Sequence, residues 1–136
     1  MLVVDTGVLV AAADRTDRNH QRCVAVLEEA SGPLLTTGLV IAECAYLIER
    51  ELGPDAETLL YQSIIDQALH VADLTIADWQ RIRELVGTYA SLPLGGTDAS
   101  VIAIAERLDQ SRIATLDRRH FAVVRPAHCD AFDLVP

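Results

Sequence analysis

The chain has 136 residues, a length typical of one domain with one buried core. Hydrophobic residues make up 51% of it with only two Phe and one Trp, so we predict a core of Ala, Val, Leu and Ile, as helix-covered parallel sheets often have. The net charge of −9 argues against simple electrostatic binding of a polyanion. A nucleic-acid ligand would therefore require metal or local arginines.

The compartment is predicted from what the sequence lacks. The longest apolar runs, Gly38–Ala42 and Val101–Ala105, fall short of the roughly 20 residues that cross a bilayer. The chain opens on a strand with no basic segment, which predicts no export signal, no membrane association and a cytoplasmic location. Cys23, Cys44 and Cys129 form an odd set without a C-x-x-C pair, and we expect reduced core residues.

The first half of the chain alternates short apolar runs with helical periodicity. We predict strands over 2–5, Leu34–Thr36 and Leu69–Leu74. The helices are expected at about Val8–Ala13, at His20–Ala30, from a Thr37 cap to about Leu52, and from Pro54 through about Gln67. Residues 14–19 form a polar break between the first two helices.

The second half continues the alternation. Thr75 is expected to cap a helix over roughly Ile76–Tyr89, in which Trp79 falls on the apolar stripe and is predicted to be core. Thr97 is expected to cap a helix through about Leu108. Further strands are predicted over Arg112–Leu116 and near Phe132–Val135. The pattern predicts an α/β fold: a single three-layer α/β/α domain over residues 1–136, with a central, mainly parallel sheet of four to five strands.

Four acidic residues stand beside apolar runs and look buried. They are Asp5 at the end of the apolar run Leu2–Val4, Glu43 within a helix, Asp98 at a helix start, and Asp117 after a strand. An isolated buried carboxylate is costly, and two charges about 5 Å apart at an effective dielectric of about 20 repel by roughly 3 kcal/mol. A bound divalent cation would relieve this. Ligands of parallel sheets lie beyond the carboxyl ends of the strands, where Asp5 and Asp117 map directly.

Each acid also has a structural explanation. Asp5 could hydrogen-bond its own turn, the helix dipole could stabilise Asp98, and Asp117 could pair with the neighbouring Arg118. Glu43 has the weakest alternative, because its helical neighbours are apolar and leave no solvated face unless that face lines a cleft. The four together are more specific than any one of them.

Other polar residues carry weaker signals. Four histidines show no metal-ligand spacing and are predicted to be structural or surface residues: His20, His70, His120 and His128. Four arginines lie in predicted loops near the carboxyl edge of the sheet and are candidates for phosphate contacts: Arg15, Arg18, Arg118 and Arg119.

The order of these motifs resembles the PIN domain, in particular the VapC toxins of bacterial VapBC toxin–antitoxin pairs. The resemblance spans Leu2 to Val135 and rests on four short motifs: Asp5-Thr6, Glu43, Asp98-Ala99, and Thr115-Leu116-Asp117 followed by Phe121. One departure is Gly7, where the family often has a small polar residue.

The resemblance implies a Mg²⁺- or Mn²⁺-dependent endoribonuclease, a hydrolase cutting RNA in a toxin–antitoxin system. It implies metal binding by Asp5, Asp98 and Asp117, with Glu43 as the fourth catalytic acid and Thr6 and Thr115 as supporting hydroxyls. The implied partners are the RNA substrate and an antitoxin that covers the site with an apolar helix and a basic tail. A homodimer or a toxin–antitoxin hetero-oligomer is the expected assembly.

Three other functions remain open at this point. A receiver-type or other non-catalytic module could bind Mg²⁺ or RNA without turnover. A metal-dependent phosphatase of the haloacid-dehalogenase type would need a second Asp at position 7, which is Gly. A phosphate-binding nucleotide module would need a Lys that Gly95-Gly96-Thr97 lacks.

Overall fold

Five strands and seven helices alternate along the chain in the computed structural model, which describes residues 1–136. The strands are β1 Leu2–Val4, β2 Leu34–Thr37, β3 Leu69–Ala72, β4 Arg112–Ala114 and β5 Asp133–Val135. The helices are α1 Thr6–Ala13, α2 His20–Glu29, α3 Gly38–Leu52, α4 Pro54–Ile65, α5 Ile76–Thr88, α6 Gly96–Arg107 and α7 Arg118–Val123. No helix has both the length and the apolar character that a bilayer crossing needs.

The strands form one parallel sheet in the order β3-β2-β1-β4-β5, which confirms the predicted α/β fold. In the centre, Val3 of β1 is in register with Leu35 on one side and Ile113 on the other. The chain extends the sheet from β1 towards β3 and then returns to add β4 and β5 on the opposite side. The order therefore reverses beside β1, and ligands of parallel sheets bind in the crevice at such a reversal.

The predicted three layers follow from the alternation of side chains along β1. Val3 packs into a cluster that includes residues of α3, α5, α6 and α7. Leu2 and Val4 point to the opposite face, where they pack with Val8 of α1 and Cys23 of α2. Because successive strand residues face opposite sides, one apolar strand anchors both helical layers.

Two predicted helix caps are confirmed. The Thr37 hydroxyl accepts a hydrogen bond from the Val40 N–H at 3.3 Å at the start of α3. At the start of α5, the Thr75 hydroxyl accepts from the Asp78 N–H and the Asp78 carboxylate accepts from the Thr75 N–H, which is a reciprocal capping box.

Other predicted boundaries shift by a few residues. The prediction that Thr97 caps α6 is wrong, because the helix begins at Gly96 and its first turn closes from the Ala99 N–H onto the Gly95 carbonyl. Helix α1 begins at Thr6 instead of Val8, which makes Asp5 its N-cap. Helix α4 stops at Ile65, and the left-handed φ of 59° at Gln67 is incompatible with its continuation.

The prediction that Trp79 is a core residue is wrong, since 48% of its surface is exposed. The buried face of α5 carries Asp78, Ile82 and Leu85. Asp78 faces inwards because it caps the helix and pairs with Arg107 of α6 at 3.0 Å, which turns the neighbouring Trp79 outwards.

The cysteine prediction holds for two of the three residues. All are free thiols, and Cys23 and Cys44 are buried on α2 and α3. Cys129 lies in the loop before β5 and is only half-buried, so it is not a core residue.

Candidate functional site

The four predicted acids meet in one open cleft at the carboxyl edge of the sheet. The cleft has a volume of about 700 Å³, and Asp5, Glu43, Asp98 and Asp117 all line it. Asp5 follows β1 and Asp117 follows β4, the two strands at the reversal of strand order. The other two acids reach the cleft from α3 and α6.

Asp5 is the most buried of the four, with 5% of its surface exposed. As the N-cap of α1 it makes no side-chain capping bond, so the local turn does not occupy its carboxylate. The Thr115 hydroxyl donates to Oδ2 at 2.9 Å, whereas Oδ1 is buried without a hydrogen-bond partner. A buried carboxylate oxygen without a donor is costly, which leaves Oδ1 in need of a cation or a proton.

The surroundings of Asp5 disfavour its negative charge. Burial is the largest cause, followed by the charge of Asp98, and together with Glu43 they raise the pKa of Asp5 from 3.8 to about 6. The Thr115 hydrogen bond and the nearby Thr6 backbone, which both favour the charged form, oppose this rise in pKa. The net effect favours neutralisation of this carboxylate.

The expectation that all four acids are buried is wrong for three of them. The side chain of Asp98, in the first turn of α6, is 18% exposed, and that of Asp117, at the start of α7, is 46% exposed. Glu43 is exposed because α3 buries the stripe of Val40, Cys44 and Ile48 and turns the next face to the cleft. Apolar neighbours in sequence do not bury a helical residue when its own face lines an opening.

The two predicted hydroxyls play different parts. The Thr115 hydroxyl donates to Asp5 and accepts from the Asp117 N–H at 3.1 Å, so one buried side chain links two of the acids. The Thr6 hydroxyl is buried without a partner, so it makes no hydrogen bond to Asp5. The Thr6 carbonyl also accepts from the Cys44 thiol at 3.6 Å, which joins α1 to α3.

His120 lines the cleft, which the sequence did not predict. Its Nδ1 lies 2.6 Å from Asp98 Oδ2 and 3.4 Å from Asp117 Oδ2. Asp117 and His120 are three residues apart on one turn of α7, so they share a face. That spacing was visible in the sequence, but the contact to Asp98 depends on the fold.

The other three histidines agree with the prediction. The ring Nδ1 of His20 lies 2.9 Å from the Ala11 carbonyl, and Nε2 of His128 lies 2.9 Å from the Gln110 carbonyl. His70 is exposed on β3. None of the three lines the cleft.

The candidate arginines have different surroundings. Arg118 donates to the carbonyl oxygens of Leu134 and Pro136 and so fastens the end of the chain. Arg15 lines a separate apolar cavity, and Arg18 is exposed in the turn before α2. Arg119 is exposed, and its Nη2 lies 3.5 Å from His120 Nε2 beside the cleft.

The side chains of the cleft suit a hard divalent cation. Asp98, Asp117 and His120 each offer a ligand atom within 4.8 Å of the others. Asp5 adds the buried Oδ1 that lacks a donor. Carboxylate oxygens are the ligands that Mg²⁺ and Mn²⁺ prefer, and in the cleft four carboxylates stand against one imidazole and no thiol.

Solved structures share the fold at low sequence identity. VapC20 of Mycobacterium tuberculosis, described as a sarcin–ricin loop cleaving toxin, superposes with a TM-score of 0.82 at 16% identity, over 88% of this chain and 92% of that one. VapBC2 from Rickettsia felis, bound to a DNA fragment from their promoter, gives 0.68 at 13% identity over 99% and 98%. FitAcB from Neisseria gonorrhoeae gives 0.58 at 19% identity over 89% and 91%.

Sequence comparison extends over nearly the whole chain. Ribonuclease VapC26 of Mycobacterium tuberculosis (strain ATCC 25618 / H37Rv) is 28% identical over 135 residues, which cover 99% of this chain and 100% of that protein. The family model for the PIN domain matches residues 2–125, a range that includes all four acids of the cleft. By this match, the chain belongs to the PIN domain family.

Proposed function

We propose that this chain is a Mg²⁺- or Mn²⁺-dependent endoribonuclease and the toxin of a toxin–antitoxin pair, with residues 1–136 acting as one nuclease domain. The observation that carries the proposal is the meeting of four carboxylates in one cleft, where Asp5 keeps a buried oxygen without a donor. The full-length similarity to a relative named as a ribonuclease supports RNA as the substrate.

The metal would be held by Asp5, Asp98 and Asp117. A bound divalent cation polarises a phosphate and makes water a better nucleophile near neutral pH. Thr115 holds the Asp5 carboxylate and the Asp117 backbone through its two hydrogen bonds. Because this hydroxyl is buried, it positions Asp5 before substrate arrives.

Glu43 is the acid best placed to handle a proton. Its carboxylate is exposed, lies on the α3 side of the cleft and accepts no hydrogen bond from the protein. An accessible carboxylate can orient the attacking water and accept its proton, whereas Asp5 is buried and is assigned to the metal. Glu43 is therefore the proposed general base.

Substitution of Asp5 tests the function. We expect Asp5→Asn to reduce cleavage of labelled single-stranded RNA by at least about 100-fold in Mg²⁺ or Mn²⁺, because the amide lacks the charge that the cation needs. Asp130→Asn, an exposed substitution away from the cleft, should leave cleavage unchanged. Wild-type cleavage should stop in chelator.

The outcomes of these assays distinguish the nuclease from the other candidate functions. RNA binding without cleavage by the wild type in either metal would indicate a non-catalytic module, and release of phosphate from small monoesters would indicate a phosphatase. Full activity in Asp5→Asn would refute the assigned site.

An apolar cavity beside the cleft supports the proposed antitoxin partner. It has a volume of about 510 Å³ and is lined mainly by side chains of α1, α2, α3 and α4, including Leu9, Leu27, Ile48 and Leu59. Helices α1 and α3 also contribute residues to the acidic cleft. An apolar helix seated in this cavity could therefore extend a basic tail to the acids, as an inhibitor of the nuclease would need.

A further inference from the structure

We propose that His120 is a positioning residue that holds Asp98 in the orientation needed to bind metal. The inference rests on the proposed function, because it gives a role to a side chain that would act through one of the proposed ligands. His120 would not touch the RNA or the cation itself.

The hydrogen bond between His120 and Asp98 is short, and it is the only one that the Asp98 carboxylate accepts. His120 Nδ1 lies 2.6 Å from Asp98 Oδ2, and no other donor reaches the Asp98 carboxylate. Asp5 is held in a similar way by one hydroxyl, that of Thr115. Each of these two proposed ligands thus has a single supporting donor from the segment that follows Ala114 of β4.

The imidazole ring is held in place by its own helix. The His120 side chain is only 12% exposed, which limits its rotation. The next residue, Phe121, is fully buried and packs edge-on against Phe132 with ring centres 6.5 Å apart. Since α7 is anchored through Phe121, the position of His120 is set before any cation binds.

The Asp98 contact assigns the role of Nδ1. An ionised carboxylate oxygen can only accept, so Nδ1 carries the hydrogen that it donates to Asp98 Oδ2. The other ring nitrogen, Nε2, faces Arg119 Nη2 at 3.5 Å. The same Nδ1 lies 3.4 Å from Asp117 Oδ2, so the ring also limits the approach of the two acids to each other.

Three substitutions of His120 distinguish a hydrogen bond to Asp98 from a role in packing alone. Asn places its side-chain amide close to the position of Nδ1, Gln places it close to Nε2, and Ala removes both. We expect His120→Ala to weaken Mn²⁺ binding by about tenfold or more, as the loss of a supporting partner of a metal ligand commonly does. His120→Asn should remain within about threefold of the wild type. His120→Gln should resemble His120→Ala.

The measurement is titration of the RNA-free protein with Mn²⁺, followed by electron paramagnetic resonance of the free ion. Circular dichroism confirms that each variant is folded. The pulsed spectrum of bound Mn²⁺ should show no directly coordinated nitrogen. A directly coordinated nitrogen would overturn the proposal and make His120 a ligand.

The outcomes distinguish this proposal from the proposed function. If the wild type binds Mn²⁺ and cleaves RNA while His120→Ala binds Mn²⁺ equally well, only the positioning role is overturned. The same holds if Asn and Gln bind alike, because the donor position would then not matter. If the wild type binds no Mn²⁺, the metal site itself fails and this inference fails with it.

Discussion

Asp5 lines the acidic cleft at a cost to the stability of the fold. One of its oxygens accepts from Thr115, and the other is buried without a partner. Burial and the charge of Asp98 raise its pKa to about 6, so the folded chain resists ionising this group. A carboxylate that is unfavourable without metal and favourable with metal couples cation binding to stability.

The stability of the metal-free protein should therefore depend on pH through Asp5. Its pKa is about 6 in the folded chain against the ordinary 3.8, so the folded state binds more protons between these values. The free energy of unfolding should then fall as pH rises from about 4 to 6, by roughly 3 kcal/mol for a shift of about two units. Urea unfolding in chelator across this range measures the change.

Asp5→Asn provides the control for this pH dependence. The amide does not titrate, so the part of the slope that comes from Asp5 should disappear in the variant. Added Mn²⁺ should also flatten the wild-type profile between about pH 4 and 6, because the ion offsets the buried charge. An unchanged slope in Asp5→Asn would show that another group is responsible.

The junction of α5 and α6 depends on Asp78. This buried carboxylate accepts from the Thr75 N–H at 2.9 Å and from Arg107 Nε at 3.0 Å, so it caps one helix and binds the next. Beside it, Arg81 makes two hydrogen bonds of 2.9 Å to Glu106. These contacts fix α6, whose first turn carries Asp98 into the cleft.

We expect Asp78→Ala to lower the free energy of unfolding by about 3 kcal/mol, since it removes a helix cap and leaves Arg107 without its partner. Glu84→Ala is the matched control. Its carboxylate is exposed and pairs only with Arg81, so its loss should cost less than about 0.5 kcal/mol. Urea unfolding at constant pH measures both, and equal costs would contradict the assigned role of Asp78.

The elements show where sequence patterns succeed and where they fail. Thr37 and Thr75 were predictable as caps, because capping depends on residues three positions apart. Trp79 was not, because periodicity cannot show that the adjacent Asp78 pairs with a helix almost thirty residues further on. Short-range chemistry is present in the local sequence, whereas the choice of buried face depends on tertiary partners.

At the scale of the whole molecule, the alternation of strands and helices was sufficient to predict a parallel sheet and to place Asp5 and Asp117 at one edge. The order of the strands was not predictable, because it depends on which side of β1 each later strand joins. Glu43 and His120 enter the cleft through that order and through helix packing. Glu43 stood out in the sequence because its helical neighbours are apolar, whereas no local pattern distinguished His120 from the other histidines.

The acidic cleft and the apolar cavity differ in the polarity of the side chains that line them. The cleft carries four carboxylates, and most of the side chains that line the cavity are apolar. With a net charge of −9, the chain favours a basic partner over a second acidic one. An antitoxin with an apolar helix and a basic tail would satisfy both surfaces.

Leu59 allows the two surfaces to be tested separately. It lines the apolar cavity on α4, is largely exposed and lies outside the acidic cleft. We expect Leu59→Arg to abolish inhibition by the proposed antitoxin while RNA cleavage stays at the wild-type rate, because a charge in the cavity excludes an apolar helix. Ile76→Arg, an equally exposed apolar position on α5, is the control and should still be inhibited. Full inhibition of Leu59→Arg would place the partner on another surface.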